Sequence, residues 1–410
     1  MSGKISINTR VMLYILLSIP FLLDSNIMRL NMLSLFLYRG IKYFSMAIIL
    51  ITFILKMKIT KIDILIFLYE IHLVIATLFQ GADIERAIKT VYPVVFYVML
   101  FEIGMDYYHE FIKAQCICYL LIVIINLMTE IIFPHGMYIA EITGYWQEWF
   151  LGYYNNHSIY YIAGFCMVFL SYIVNKDNFL SPVIYSIVVV ISSVLTWSGG
   201  VLGTLLVMAL LFIISSLINS KMLNYATYWM IPPVFIGITV VFHQIVQINR
   251  LMHIVQSLFG KGGSFIARLG LWRREITYIS QHPVMGHGIE NAYTRLRQYG
   301  WGLHTHNLIL EIIHQGGIIG ILLFISLIVL SGRELLSCRD TKVINVVSIA
   351  FLGWIIATLV EPFTDLKLIT LFVVAYRSSE IVNKRLKDNS SKTEEMIMNI
   401  ELKYDTNKVF

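Results

Sequence analysis

The sequence predicts an all-α polytopic membrane protein. Of its 410 residues 58% are hydrophobic and 14% charged, whereas soluble globular chains average about 25% charged. Apolar runs long enough to cross a bilayer recur from end to end. Helices satisfy their own backbone groups in lipid, so such runs read as spans. The net charge of +6 does not point to nucleic acid, because the basic residues sit mostly between the apolar runs.

About twelve spans are expected, near 11–28, 41–57, 62–80, 88–105, 114–133, 157–175, 182–198, 200–218, 228–247, 306–330, 343–360 and 367–381. The first follows Lys4 and Arg10 without a small-residue cleavage site, so it reads as uncleaved. Together they make one membrane domain, 1–381, followed by a polar tail, 382–410, expected to be disordered or a loose helix. Lysine and arginine favour one side. Lys56, Lys58, Lys61, Lys113, Lys176, Lys221, Arg333, Arg339 and Lys342 outnumber Arg29, Arg39, Lys42, Arg86, Lys89 and Lys367. By the positive-inside rule both termini are cytoplasmic and the long loop 248–305 is extracytoplasmic. The four cysteines, Cys116, Cys118, Cys166 and Cys338, have neither zinc nor redox spacing.

Glu70 and His72 fall mid-span in the third helix, where a bare charge costs at least about 2.5–3.5 kcal/mol. They need partners, structural or functional. Loop 134–156 is aromatic, with Tyr138, Tyr145, Trp146, Trp149, Tyr153 and Tyr154 and no Lys or Arg. It reads as an interfacial belt or as a surface on which sugar rings stack.

Loop 248–305 carries Arg268, Arg273, Arg274, Arg295 and Arg297. Leu269, Trp272, Ile276 and Ile279 fall on one helical stripe flanked by Arg268 and Arg273. An amphipathic helix on the membrane surface is expected, ended by Pro283 and the Gly286/Gly288 turn. Its arginines suit anionic head groups or a diphosphate, whose oxygens a guanidinium meets two at a time.

The loop ends in His304-Thr305-His306-Asn307-Leu308-Ile309-Leu310-Glu311, then His314-Gln315-Gly316-Gly317-Ile318-Ile319-Gly320. Two imidazoles and an amide thus meet the start of an apolar helix at the membrane surface. Asn307 is placed to cap that helix. No metal site is expected, since at about 100° per residue Glu311 falls roughly 140° and His314 about 80° round from His306. The zinc-hydrolase spacing of two histidines at i and i+4 is absent. His306 is instead suited to take a proton from a sugar hydroxyl. Gly317 and Gly320, one turn apart, invite close approach of another helix.

His306-Asn307, nine residues, then Gly317-x-x-Gly320 resembles the signature of the O-antigen polymerase/O-antigen ligase family of bacterial membrane glycosyltransferases. Arg268-Leu269-x-x-Trp272 and His282-Pro283-Val284-Met285-Gly286-His287-Gly288 resemble that family's extracytoplasmic loop. Gly152-Tyr153-Tyr154-Asn155-Asn156 is similar to its Gly/Asn-rich stretch. The resemblance covers roughly residues 265–330. One departure is clear: where the family carries an Arg beside a Ser or Thr, this chain has Thr196-Trp197-Ser198-Gly199-Gly200.

The resemblance implies a GT-C-like, multi-pass protein of the bacterial inner membrane. It implies an inverting, metal-independent transfer between undecaprenyl-diphosphate-linked oligosaccharides, without a cofactor. His306 and Arg268 would be catalytic, and Arg273, Arg295, Arg297, Asn307, His304 and Asn155 would bind substrate. Membrane lipids and a chain-length regulator are the other expected partners; nucleic acid is not one. The missing Arg favours a polymerase of O-antigen or capsular repeat units over a ligase acting on lipid A-core. A lipid-sugar flippase or transporter is the rival class, for which Glu70 and His72 speak.

Overall fold

The computed structural model describes residues 9–23, 32–139, 147–176, 178–215, 217, 219–234, 262–299, 304–358, 361 and 366–406. Within them the chain is helical almost throughout. Its order is α1 (Thr9–Leu22), α2 (Met32–Lys56), α3 (Lys61–Phe79), α4 (Ile84–Gly104) and α5 (Tyr108–Ile132). Then come α6 (His157–Asn175), α7 (Leu180–Leu195), α8 (Gly199–Ile214), α9 (Ser220–Tyr225), α10 (Gly262–Ile279), α11 (Ala292–Tyr299), α12 (Leu308–Leu336), α13 (Thr341–Ala357) and α14 (Leu366–Thr406). Helix occupies each expected span within the described residues; the span expected at 228–247 passes out of them after Val234.

Five stretches are long and apolar enough to cross a membrane: Leu33–Lys56, Lys61–Phe79, Ile84–Ile132, Tyr154–Asn175 and Leu308–Leu336. Shorter apolar helices cover Thr9–Leu22, Leu180–Leu195, Gly199–Ile214 and Thr341–Ala357. The chain turns at Met105–Tyr107, where Tyr107 leaves helical geometry at φ −126°, ψ 53°. There α4 and α5 fold back, and Tyr97 bonds to Gln115 across them. Helix α6 is central, buried on nearly every face, and packs on α5, α13, α14 and α7. Phe324, Phe351, Trp354 and Phe372 join α12, α13 and α14 in edge-on and tilted pairs, with ring centres 5.3–5.9 Å apart. Such aromatic pairs add to the packing of a bundle that has no hydrophobic drive between helices in lipid.

Helix ends are capped where the sequence provides a short polar side chain. Asp340 accepts from Lys342 N ahead of α13, and Asn307 accepts from Leu310 N ahead of α12. The N-termini of α6, α8 and α12 gather at one end of the bundle with loop 283–289. Lys56 and Lys58 pair with Asp106, and Arg377 pairs with Glu102, at the other.

Two expectations change. Helix α12 breaks at Gly317 (φ 60°, ψ −154°), a conformation open in practice only to glycine. The freed His314 and Gln315 carbonyls accept from His287 N (2.7 Å) and Gly288 N (3.1 Å). Ile318 N and Ile319 N donate to Pro283 O (2.8 Å) and Val284 O (3.3 Å). Gly317 therefore admits the backbone of loop 283–288, while Gly320 faces His72 of α3. A Cβ on Gly317 would lie 2.3 Å from Val284 O.

The apolar stripe of α10 is covered by protein in its described part, not laid on lipid. Leu271 and Trp272 are buried against Leu310, with Ile276 and Ile279 beside them. The Trp272 indole donates to Thr305 O at 2.8 Å, which fixes the helix on α12. In the polar tail α14 continues to Thr406, and near its start Lys384 donates to Met105 O and Arg385 pairs with Asp340.

Candidate active site at the head of α12

The turn entering α12 is held from several directions through Thr305. Its N–H donates to Glu311 Oε2 (3.1 Å), its hydroxyl to Asn307 O (2.7 Å), and its carbonyl takes the Trp272 indole. His306 follows in left-handed geometry, φ 52°. A non-glycine residue there costs energy, and such residues cluster at functional sites. The strain turns His304 and His306 toward one carboxylate, Glu361, just beyond α13.

Glu361 Oε2 lies 3.2 Å from His306 Nδ1 and 3.5 Å from His304 Nε2. Its other oxygen accepts from Asn155 Nδ2 at 3.0 Å, and Asn155 Oδ1 accepts from Ser198 Oγ at 2.9 Å. Hydrogen bonds thus tie the entrances of α6 and α8 to the exit of α13, and the two histidines ahead of α12 lie within ion-pair distance of the same carboxylate. Desolvation pushes His304 down to about 4, the attraction of Glu361 notwithstanding. His304 is neutral at pH 7. His306 keeps 13% of its side chain exposed and Glu361 8%, so the site is sheltered yet reachable.

The donor atoms of His304, His306 and Glu361 all lie within 4.8 Å of one another. Two imidazoles and a carboxylate are a set that zinc accepts. The helical arithmetic for His306, Glu311 and His314 does not address this group, because Glu361 arrives from another helix.

A second, largely buried network lies behind the turn. His314 donates from Nδ1 to Glu275 Oε1 (2.6 Å) and from Nε2 to Glu290 Oε2 (3.0 Å). Arg295, 3% exposed, joins Glu290 (3.1 Å) to Glu311 (2.9 Å), and Gln315 donates to Glu311 at 2.8 Å. Tyr278 donates to Glu290 and stacks on His287 at 3.8 Å. Burial raises the Glu290 carboxyl, but the hydrogen bond and charge of His314, with the Arg295 charge, outweigh it and hold it below its usual range. Burial pushes the His287 imidazolium down, so that ring is neutral.

Of the residues singled out in the sequence, the structure brings together His304, His306 and Asn155. Asn307 caps α12 and is buried. Arg295 is spent on Glu290 and Glu311; Arg273 and Arg297 are exposed on α10 and α11. The side chain of Arg268 lies outside the described residues. Tyr145 and Trp146 do too, while Trp149 is buried, its indole donating to Phe133 O. Sequence reasoning missed Glu361, which lies in Glu361-Pro362 after an apolar run and was a visible signal. It also passed over Lys367, buried with its ammonium 4.4 Å above the Tyr160 ring. His72, which lacked a partner, bonds Gly316 O through Nε2 at 2.7 Å. That bond braces the break in α12.

Residues 158–325 match the family model described as O-antigen ligase. That match supports the O-antigen polymerase/ligase family and indicates a function of ligase or polymerase type. No curated protein matches the chain.

Proposed function

We propose that this protein is a polysaccharide polymerase of the inner membrane. It joins undecaprenyl-diphosphate-linked repeat units on the extracytoplasmic side. The observation that carries the proposal is the His306–Glu361 contact at 3.2 Å, reached from the family-matched segment.

His306 takes the proton of an acceptor hydroxyl at Nε2, and Glu361, at Nδ1, stabilises the imidazolium that results. The hydroxyl oxygen bonds the anomeric carbon while the bond from that carbon to the diphosphate oxygen breaks, with inversion. The diphosphate departs on its lipid, its charge met by Arg268 and by Arg273 or Arg297. His304 and Asn155 hold Glu361 and border the acceptor. Arg295 anchors the loop to α12 instead of touching substrate. The aromatic side chains Tyr153 and Tyr154, beside Asn155, offer ring faces to sugar.

The ligase reading keeps the same chemistry with a lipid A-core acceptor, and the description of the matched family favours it. Against it stands Ser198, bonded to Asn155 where the family's ligases carry an Arg alongside. A transporter is disfavoured because His72 is engaged with Gly316. Surface glycan from a deletion strain decides between the two enzymes. Glycan of one repeat unit only supports the polymerase; long polymer stranded on undecaprenyl diphosphate with bare lipid A-core establishes the ligase.

A further inference from the structure

The end of the bundle away from His306 holds a cavity of about 1230 Å³. Helix α12, 29 residues long, runs from the one to the other. Its inner wall is aromatic and apolar: Phe169 and Tyr172 of α6, Phe179 ahead of α7, and Phe212 of α8. Phe169 and Phe212 meet at 4.9 Å, and Phe179 is 62% exposed.

The rim carries Lys221 of α9, Arg339 from the α12–α13 turn and Lys342 of α13. All three are exposed. No carboxylate lines the cavity among the described residues, and none pairs there with these cations. Between wall and rim lies Asn345. Its Nδ2 donates to Ser215 O at 3.1 Å, which sets the amide orientation, and its Oδ1 is buried with no hydrogen-bond partner among the described residues.

We infer that this cavity binds an anionic phospholipid with a hydroxylated head group, of the phosphatidylglycerol type, in the leaflet opposite the active site. The three features match three parts of that molecule. Acyl chain lies against the aromatic wall, phosphate meets the three cations, and a head-group hydroxyl donates to Asn345 Oδ1. A zwitterionic choline head group offers no hydroxyl and brings its own cation into a basic rim. A bare inorganic phosphate leaves the wall uncovered.

The test is lipid retention by the purified full-length protein, measured by native mass spectrometry after delipidation and readdition of phosphatidylglycerol or phosphatidylcholine. Wild type should retain phosphatidylglycerol preferentially. The triple variant Lys221→Gln/Arg339→Gln/Lys342→Gln should lose that retention about tenfold or more, since each cation near an anionic head group contributes comparably. Phe179→Ala should weaken both lipids, and Asn345→Ala phosphatidylglycerol alone. Arg333→Gln/Lys387→Gln, which removes two cations outside the cavity lining, should retain wild-type selectivity. Equal retention of both lipids, full retention by the triple variant, or displacement by inorganic phosphate at millimolar concentration each overturns the proposal.

Discussion

His306 Nδ1 and Glu361 Oε2 lie 3.2 Å apart although 55 positions separate them in the chain (361 − 306). Asn155 and Ser198 fix the far side of the carboxylate. If Glu361 stabilises His306 as it takes a proton, Glu361→Gln keeps the shape but loses the charge. Glycan extension should fall roughly a hundredfold with the protein still folded. Asn155→Ala should cost less, because Glu361 keeps its charge. Wild-type activity in Glu361→Gln would reduce the pair to a structural contact.

The chelation test separates the two uses of His304, His306 and Glu361. Activity should survive EDTA. Loss with EDTA that zinc restores would assign the three donors to a metal ion and remove His306 as the base.

His304 gives a pH signature. Its folded-state value of about 4 lies below the ordinary 6.5, so between those values the unfolded chain binds more protons than the folded one. This contribution to stability is complete above about 6.5 and is lost as pH falls toward 4. The gap in Tm between wild type and His304→Gln should therefore narrow in wild type's disfavour across that window. A gap constant from pH 7 to 4 would contradict the neutral imidazole.

Most of the architecture was legible because lipid-spanning helices announce themselves by composition, as α3 and α12 do. The site was half legible. His304, His306 and Asn155 stood out as polar groups at apolar helix entrances, but Glu361 becomes a partner only because the exit of α13 meets the turn ahead of α12. Arg295 looked like a ligand for phosphate because no local signal distinguishes a loop arginine that is solvated from one buried between Glu290 and Glu311. Gly317 fitted a packing motif by spacing; its φ of 60° belongs to a break that no spacing reveals.

Gly317→Ala should therefore be far worse than Gly320→Ala. The first needs a forbidden backbone region, about 1–3 kcal/mol by itself, and adds a Cβ 2.3 Å from Val284 O. The second meets nothing nearer than 3.4 Å. Membrane protein level and thermal unfolding report both; equal tolerance would refute the break.

Arginines should divide by burial. Arg295→Met removes the cation shared by Glu290 and Glu311 and should destabilise by about 3–5 kcal/mol, as removing one partner of a buried pair does. Arg273→Ala, exposed, should fold normally and lower only activity. Arg268→Lys should stay impaired if a two-pronged grip on phosphate matters. A soluble, stable Arg295→Met with altered donor affinity would return Arg295 to the substrate site.

Sidedness is testable in whole cells. In a cysteine-free background a single cysteine at Tyr293, 77% exposed, should react with a membrane-impermeant thiol reagent, and one at Arg339 should not. The reverse pattern would place the His306 end in the cytoplasm.

The most direct measurement is glycan extension in proteoliposomes carrying purified protein and a lipid-linked oligosaccharide, read as a ladder on a gel. Wild type should build the ladder, and His306→Ala should slow it about 10²–10⁴-fold with normal protein content. His304→Ala should retain more activity. A His306→Ala protein that builds the ladder at the wild-type rate would contradict the assignment of His306 as the base.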